Sequence, residues 1–358
     1  MVRRGNLYIL LILINQLLVM SMIVIFKPDI PQSPYSMAGF IAVTQLLCFV
    51  PPLLLYGLIV KPKALFKSSY ATSGTKFFSG LPEKNQKSLL SFKPISLMNA
   101  LLVFLMCLVI QPAMLMLSAI SMFFFTNPVG DVLSGLSSTP LPVILFIMAV
   151  MPAFLEEITM RGVVLQNYAG LPIKKAAIAN GVLFAILHLN PQQFLYAMLL
   201  GIIFAYYMHY TESLWAPILG HFTINATQII IGSVGAKMIE AMPAESQSML
   251  EDPSMNSIVI ASIFLFVVSI IFLPVFVILF RSFIELNKHR IRHVDSSHDK
   301  TEICQETVSI DTLCVKTTAP NTQETPPEQG SAKVVDWAFI AVIVFYVSYV
   351  TLSFMIET

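Results

Sequence analysis

The chain has 358 residues, 56% of them hydrophobic and only 11% charged, with 26 Phe, 19 Met and a formal net charge of +1; its mean hydropathy is +0.78. Water-soluble domains carry about a quarter charged residues, so this composition excludes that class, and apolar runs long enough to cross a bilayer recur along the whole chain. The net charge gives no reason to expect a nucleic-acid partner, and four scattered cysteines form neither a disulfide framework nor a metal motif.

By length and hydropathy nine apolar segments are expected to be membrane helices, at about 7–26, 38–60, 95–125, 141–168, 173–189, 193–208, 213–232, 257–283 and 336–356. The fold class is therefore an all-α, polytopic membrane bundle of about eight or nine transmembrane helices. Arg3 and Arg4 precede the first run, which reaches Phe26 without a small-residue cleavage site and reads as a retained anchor. Seven lysines between Lys61 and Lys93 place that loop in the cytoplasm, and counting outward puts the N-terminus inside as well. The loop 126–140 lacks Lys and Arg and falls outside; Lys174, Lys175 and the basic stretch from Arg281 to His293 fall inside, consistent with the same parity. The acidic loop from Ala241 to Asp252 falls outside. Residues 295–333 are polar, Thr/Pro/Glu-rich and aperiodic, and read as a disordered linker. The chain divides into a two-span region with its Lys-rich loop (1–94), a core (95–232), an outer loop with the eighth span and basic flank (233–294), the linker (295–333) and a last span (334–358).

The fourth span carries "FLEEITMRG", Phe154 to Gly162. An unpaired charge at a helix centre costs about 2.5–3.5 kcal/mol on insertion scales, so Glu156, Glu157 and Arg161 together cost about 8–10 kcal/mol, against roughly 3–5 kcal/mol returned by the nine Leu, Ile, Phe and Val from Leu141 to Leu155. The charges must be paired, protonated or wet. Glu157 and Arg161 are i, i+4, with acid before base, and should pair; Glu156 points about 100° away and is left to face another group. Two further spans carry polar groups: Phe184 and His188 at i, i+4, then His221 and Asn225 at i, i+4. A hairpin turning near Ala169–Pro172 puts Glu156 about 20 Å and His188 about 25 Å from the turn, while His221 and Asn225 lie about 13 and 20 Å along the seventh span. All four reach the middle of the membrane. Pro217 and Gly220 either loosen that helix or serve as packing devices.

Such a cluster suits hydrolysis. A glutamate in apolar surroundings becomes a better base toward water, histidine shares that role or donates to an oxyanion, and an asparagine amide is a reasonable oxyanion donor. The same side chains also suit a zinc ion that activates water, with Glu156, His188 and His221 as candidate ligands. The residues alone do not choose between metal-bound and metal-free water, and no Ser or Cys stands out as a covalent nucleophile.

"EEITMR" (Glu156, Glu157, Arg161), "FAILH" (Phe184, His188) and "HFTIN" (His221, Asn225) resemble, in order and spacing, the EExxxR, FxxxH and HxxxN/D signatures of the CAAX prenyl protease and bacteriocin-processing (CPBP) family of intramembrane metalloproteases. The resemblance covers about 141–232 and implies that Glu156 and His188 activate water, that His221 and Asn225 are oxyanion groups or additional ligands, and that Glu157 and Arg161 support them. It also implies a membrane-bound protein or peptide substrate, in some relatives lipidated, a divalent metal such as Zn in members that use one, and residence in a cell membrane, here of bacterial appearance. Two readings from other classes remain. A proton-coupled carrier would use the same Glu and His as a relay but should show inverted repeats, which are not seen; a non-catalytic scaffold or bacteriocin-immunity protein would keep the motifs as structural glue.

Overall fold

A computed structural model describes residues 2–26, 33–60, 90–126, 132, 135–136, 138–242, 255–306 and 334–357. The Lys-rich loop up to residue 89, most of the loop 126–140, the acidic loop from 243 to 254 and the linker from 307 to 333 lie outside the described residues. Among those described the architecture is helical throughout, without strands: α1 (Val2–Phe26), α2 (Pro34–Val60), α3 (Leu97–Val109), α4 (Gln111–Ser121), α5 (Leu141–Asn167), α6 (Ile173–Leu187), α7 (Phe194–Thr211), α8 (Trp215–Glu240), α9 (Met255–Glu306) and α10 (Trp337–Glu357). The backbone of α9 is helical to Glu306, so the first dozen residues assigned to the linker continue that helix.

Every expected apolar segment is helical, α3 and α4 together making the third. Seven segments among the described residues are long and apolar enough to cross a membrane, and the protein is an integral membrane protein. The two expected spans outside that set are α6 and α8. Fifteen residues of α6 rise only about 22 Å, short of a hydrocarbon core of about 30 Å. Length is no obstacle for the 26 residues of α8, but its polar positions, His221, Asn225 and Gln228 among them, dilute its hydropathy. Both are inner helices carrying site residues, while α1, α2, α9 and α10 expose most of their apolar surface.

Helix α6 ends where the sequence requires. Asn190 precedes Pro191 and is extended (φ −131°, ψ 108°), as the proline ring demands of its neighbour; Leu189 takes a left-handed φ of 48°, and Asn190 accepts from the Gln192 N–H at 3.0 Å to start a short 3-10 turn into α7. The returning α7 packs closely on α6 because glycines meet at the crossing. A Cβ on Gly201 would stand 2.7 Å from the Gly181 Cα, and one on Gly181 would stand 2.7 Å from the Met198 carbonyl oxygen. At the other end, Gly170 adopts φ +98° in the tight turn between α5 and α6, the hairpin expected near Ala169–Pro172.

The close crossing predicts that Gly201→Ala lowers the thermal unfolding midpoint in detergent by the equivalent of about 1–3 kcal/mol, the usual cost of overpacking. Gly39→Ala, where nothing lies within 4 Å, should leave the midpoint in place. Equal midpoints for both variants would contradict the packing described.

Candidate active site

Helix α5 is α-helical except for two π-helical stretches, Phe146–Val150 and Ile158–Val164, which bracket Met151–Glu157. The first has a cause. The Met151 N–H closes a π-type bond to the Phe146 carbonyl, and Pro152, next in sequence, has no N–H, so the carbonyls of Ile147 and Met148 lose their helical donors. Both find side-chain amides instead: Gln45 Nε2 donates to Ile147 O at 2.9 Å and Asn225 Nδ2 donates to Met148 O at 3.1 Å. In the second stretch Asn180 Nδ2 donates to Met160 O at 3.0 Å. Amides on α2 and α8 thus answer the two carbonyls freed around Pro152, while the Asn180 bond to Met160 O is additional to the one that carbonyl accepts from the Leu165 N–H.

The two glutamates separate as the helical spacing predicts. Glu157 and Arg161 are both fully buried and paired, with Arg161 Nη1 donating to Glu157 Oε1 at 2.9 Å. Arg161 Nη2 donates to the Gly201 carbonyl at 2.9 Å, and its guanidinium lies over the rings of Phe184 (4.6 Å) and Phe204 (5.3 Å). Two ring faces and a carbonyl take the place of water around this cation. The same Glu157 Oε1 also accepts from His221 Nδ1 at 2.8 Å. Glu157 therefore orients His221 as well as neutralising Arg161, a contact the i, i+4 spacing could not reveal.

Glu156 faces the other way. Its Oε2 lies 3.8 Å from His188 Nε2 and 3.9 Å from His221 Nε2, and this buried oxygen has no hydrogen-bond partner. His188 Nδ1 is 2.8 Å from the Phe184 carbonyl, which can only accept, so Nδ1 carries a proton, and in the neutral ring the Nε2 lone pair then faces Glu156. Glu157 imposes the same tautomer on His221. One carboxylate oxygen and two imidazole lone pairs converge on one point, and all are acceptors. A water held there donates its two hydrogens to two of these three acceptors at a time, Glu156 Oε2 and one imidazole nitrogen, and keeps a lone pair free.

Helix ends and rings hold this arrangement. His188 caps the C-terminus of α6; His221 is stacked on Phe204 (centroids 5.7 Å) and meets the edge or face of Phe184 (5.9 Å, 87°), which also contacts His188 (4.8 Å, 89°). Phe184 is thus more than packing, since its carbonyl sets the His188 tautomer and its ring covers Arg161. Phe204 and Gly201 also contribute, and no motif in the sequence marks them; the only available signal was that α7 is the direct continuation of the α6 hairpin. Asn225 lies one turn beyond His221 with one amide N–H committed to Met148 O, leaving the other N–H uncommitted. Pro217 stands in the first turn of α8, where it costs no helical bond, and a Cβ on Gly220 would come within 3.2 Å of Cys107, Tyr207 and Phe204 atoms, so both are packing devices and do not loosen the helix.

For a divalent ion, Glu156, His188 and His221 supply suitable donor atoms. Among the described residues, however, no group of three or more His, Cys, Asp or Glu stands at the spacing that holds a metal ion. Glu156 Oε2 stands 3.8 and 3.9 Å from the two imidazole Nε2 atoms, a separation that also leaves room for a water between them.

Residues 138–227, about a quarter of the chain, match the family model described as type II CAAX prenyl endopeptidase Rce1-like. That interval contains every site residue named above. No curated protein and no solved structure matches the chain.

Because Asn225 replaces a donor that Pro152 lacks, Asn225→Ala should cost about 1–3 kcal/mol of stability by orphaning the Met148 carbonyl. Adding Pro152→Ala, which restores a backbone N–H, should recover part of that loss in thermal unfolding. Purely additive destabilisation by the two changes would rule out the substitution of one donor for the other.

Proposed function

We propose, from a segment at residues 138–227 that is of the Rce1-like CAAX endopeptidase family, that this integral membrane protein hydrolyses a peptide bond in a membrane-associated protein or peptide by direct attack of water. The observation that carries the reading is the unpartnered Glu156 Oε2 facing two imidazole lone pairs inside the bundle. Glu156 and His188, with His221, hold the water. As the oxygen attacks the carbonyl carbon, Glu156 takes its proton and negative charge develops on the substrate oxygen. The free N–H of Asn225 is the donor for that oxyanion, and Glu156 returns the proton to the amine when the C–N bond breaks, giving a carboxylic acid that keeps the second water proton and an amine, between which that proton then equilibrates. Glu157 positions His221 and stabilises it should it become cationic, and Arg161 anchors the Glu157 carboxylate through their buried pair.

The substrate is of CAAX type, a C-terminal sequence whose cysteine carries a prenyl chain, or a membrane peptide undergoing maturation. A divalent ion, where one binds, would be held by Glu156, His188 and His221 and would supply Lewis-acid activation of the water. We place the N-terminus and the loop from Lys61 to Lys93 on the cytoplasmic side of a bacterial cell membrane, from the distribution of lysines and arginines. A proton-coupled carrier would call for inverted repeats, which the sequence does not show, and a scaffold has no need of converging acceptors.

Purified protein in liposomes should cleave a farnesylated CAAX peptide, and Glu156→Gln and His188→Ala should each lower kcat by about 10²–10⁴, the range of general acid–base contributions. Cleavage retained by both variants would remove these residues from the mechanism. Glu157→Gln should act differently: leaving Arg161 buried without its partner costs about 3–5 kcal/mol, so it should lower the thermal midpoint as well as kcat.

A further inference from the structure

Beyond the hydrolytic trio the bundle holds a second set of buried amides. Gln111 opens α4 and is 7% exposed; Gln228 stands on α8 and donates its Nε2 to Gln111 Oε1. Gln111 Nε2, buried with two N–H donors, has no partner among the described residues. Elsewhere in the same protein an amide pair is closed. Asn99 Nδ2 donates to Asn287 Oδ1 at 2.9 Å and Asn287 Nδ2 returns the bond to Asn99 Oδ1 at 2.8 Å, tying α3 to α9. That reciprocal pair is glue between helices, whereas the Gln111–Gln228 pair makes one bond and leaves a donor unspent, at a cost of about 1–3 kcal/mol unless something else accepts.

Position gives the open pair a use. His221, Asn225 and Gln228 lie at i, i+4 and i+7 and share one face of α8; that face contacts the Glu156-bearing helix α5 through His221 to Glu157 and Asn225 to Met148. Gln228 stands about 10.5 Å from His221 along the axis, roughly three residues of extended chain. One turn past the His188 cap, Gln192 Nε2 donates to Ser118 Oγ at 2.7 Å, and Ser118 lies seven residues from Gln111 on α4, on its face. A peptide bond in a membrane can be attacked only where the substrate is not helical, and each backbone N–H and C=O so released must be satisfied within the protein. Primary amides, which donate and accept, complement a backbone on both counts.

We propose that Gln111 and Gln228 form a main-chain-binding subsite that holds the extended substrate about three residues from the cleaved bond, Gln111 Nε2 donating to a substrate carbonyl and Gln228 Oε1 accepting a substrate N–H. This subsite rests on the peptidase reading, and it recognises backbone, so it is indifferent to side-chain sequence.

The probe is a fluorophore-labelled, farnesylated CAAX peptide, with a series in which one backbone N–H at a time is replaced by ester oxygen. Its binding is followed by anisotropy to the full chain carrying Glu156→Gln, so that it is not consumed, and wild-type cleavage is measured alongside. One ester position should weaken binding roughly fivefold, and Gln228→Leu should abolish that difference while Gln111→Leu weakens the parent peptide by a similar factor. Esters without effect at every position, an ester effect equal in Gln228→Leu, or no binding of the peptide each overturn the proposal. If Gln111→Leu fails to fold, the ester series on Gln228→Leu, a half-buried position, is decisive by itself. Cleavage by the wild type without glutamine-dependent binding defeats the subsite only; glutamine-dependent binding without cleavage defeats the peptidase reading only.

Discussion

A single carboxylate oxygen organises the centre of this protein. Glu157 Oε1 accepts from Arg161 and from His221 at once, with all three side chains buried. Burying an ion pair costs several kcal/mol per ion, and the return here comes from the salt bridge, the Gly201 carbonyl and the two phenyl faces over the guanidinium. The arrangement ties α5, α6, α7 and α8 to one point. It also fixes which nitrogen of His221 carries a proton, and so leaves the other free to face Glu156. The charge pair that makes insertion expensive is therefore the device that keeps the neighbouring carboxylate and histidines in a usable state.

Solubility in lipid and chemistry are divided between different helices. Those with the site residues are short, as α6 is, diluted by polar groups, as α8 is, or interrupted by π-helical turns, as α5 is. Around them lie α1, α2, α9 and α10, strongly apolar and largely exposed to the surroundings. The last helix docks on the first: Asp336 accepts from Asn6 at 3.0 Å and pairs with Arg3 at 3.5 Å, while Asn6 accepts from Tyr168 beside the α5–α6 turn. Helices outside the 138–227 match thus brace the hairpin that carries Glu156 and His188.

What was legible from residues alone was local. The i, i+4 spacing gave the Glu157–Arg161 pair, the 100° step turned Glu156 away, and the rise per residue brought Glu156, His188, His221 and Asn225 to the middle of the membrane. Less visible were effects that need two helices. Nothing in "HFTIN" says that Asn225 answers a carbonyl released by Pro152, because that demand arises from the π register of α5. Likewise the second role of Glu157, and the contrast between the closed Asn99–Asn287 pair and the open Gln111–Gln228 pair, exist only once the bundle has assembled.

Water activation at Glu156 requires that His188 and His221 each carry a proton on Nδ1 and present Nε2 to Glu156 as an acceptor. Nitrogen-15 NMR of the full chain labelled at histidine, with His188→Gln and His221→Gln for assignment, reads this directly. The account predicts Nδ1–H and a bare Nε2 at both residues. Protonation at Nε2 of either ring would place a donor where the water must donate, and would contradict it.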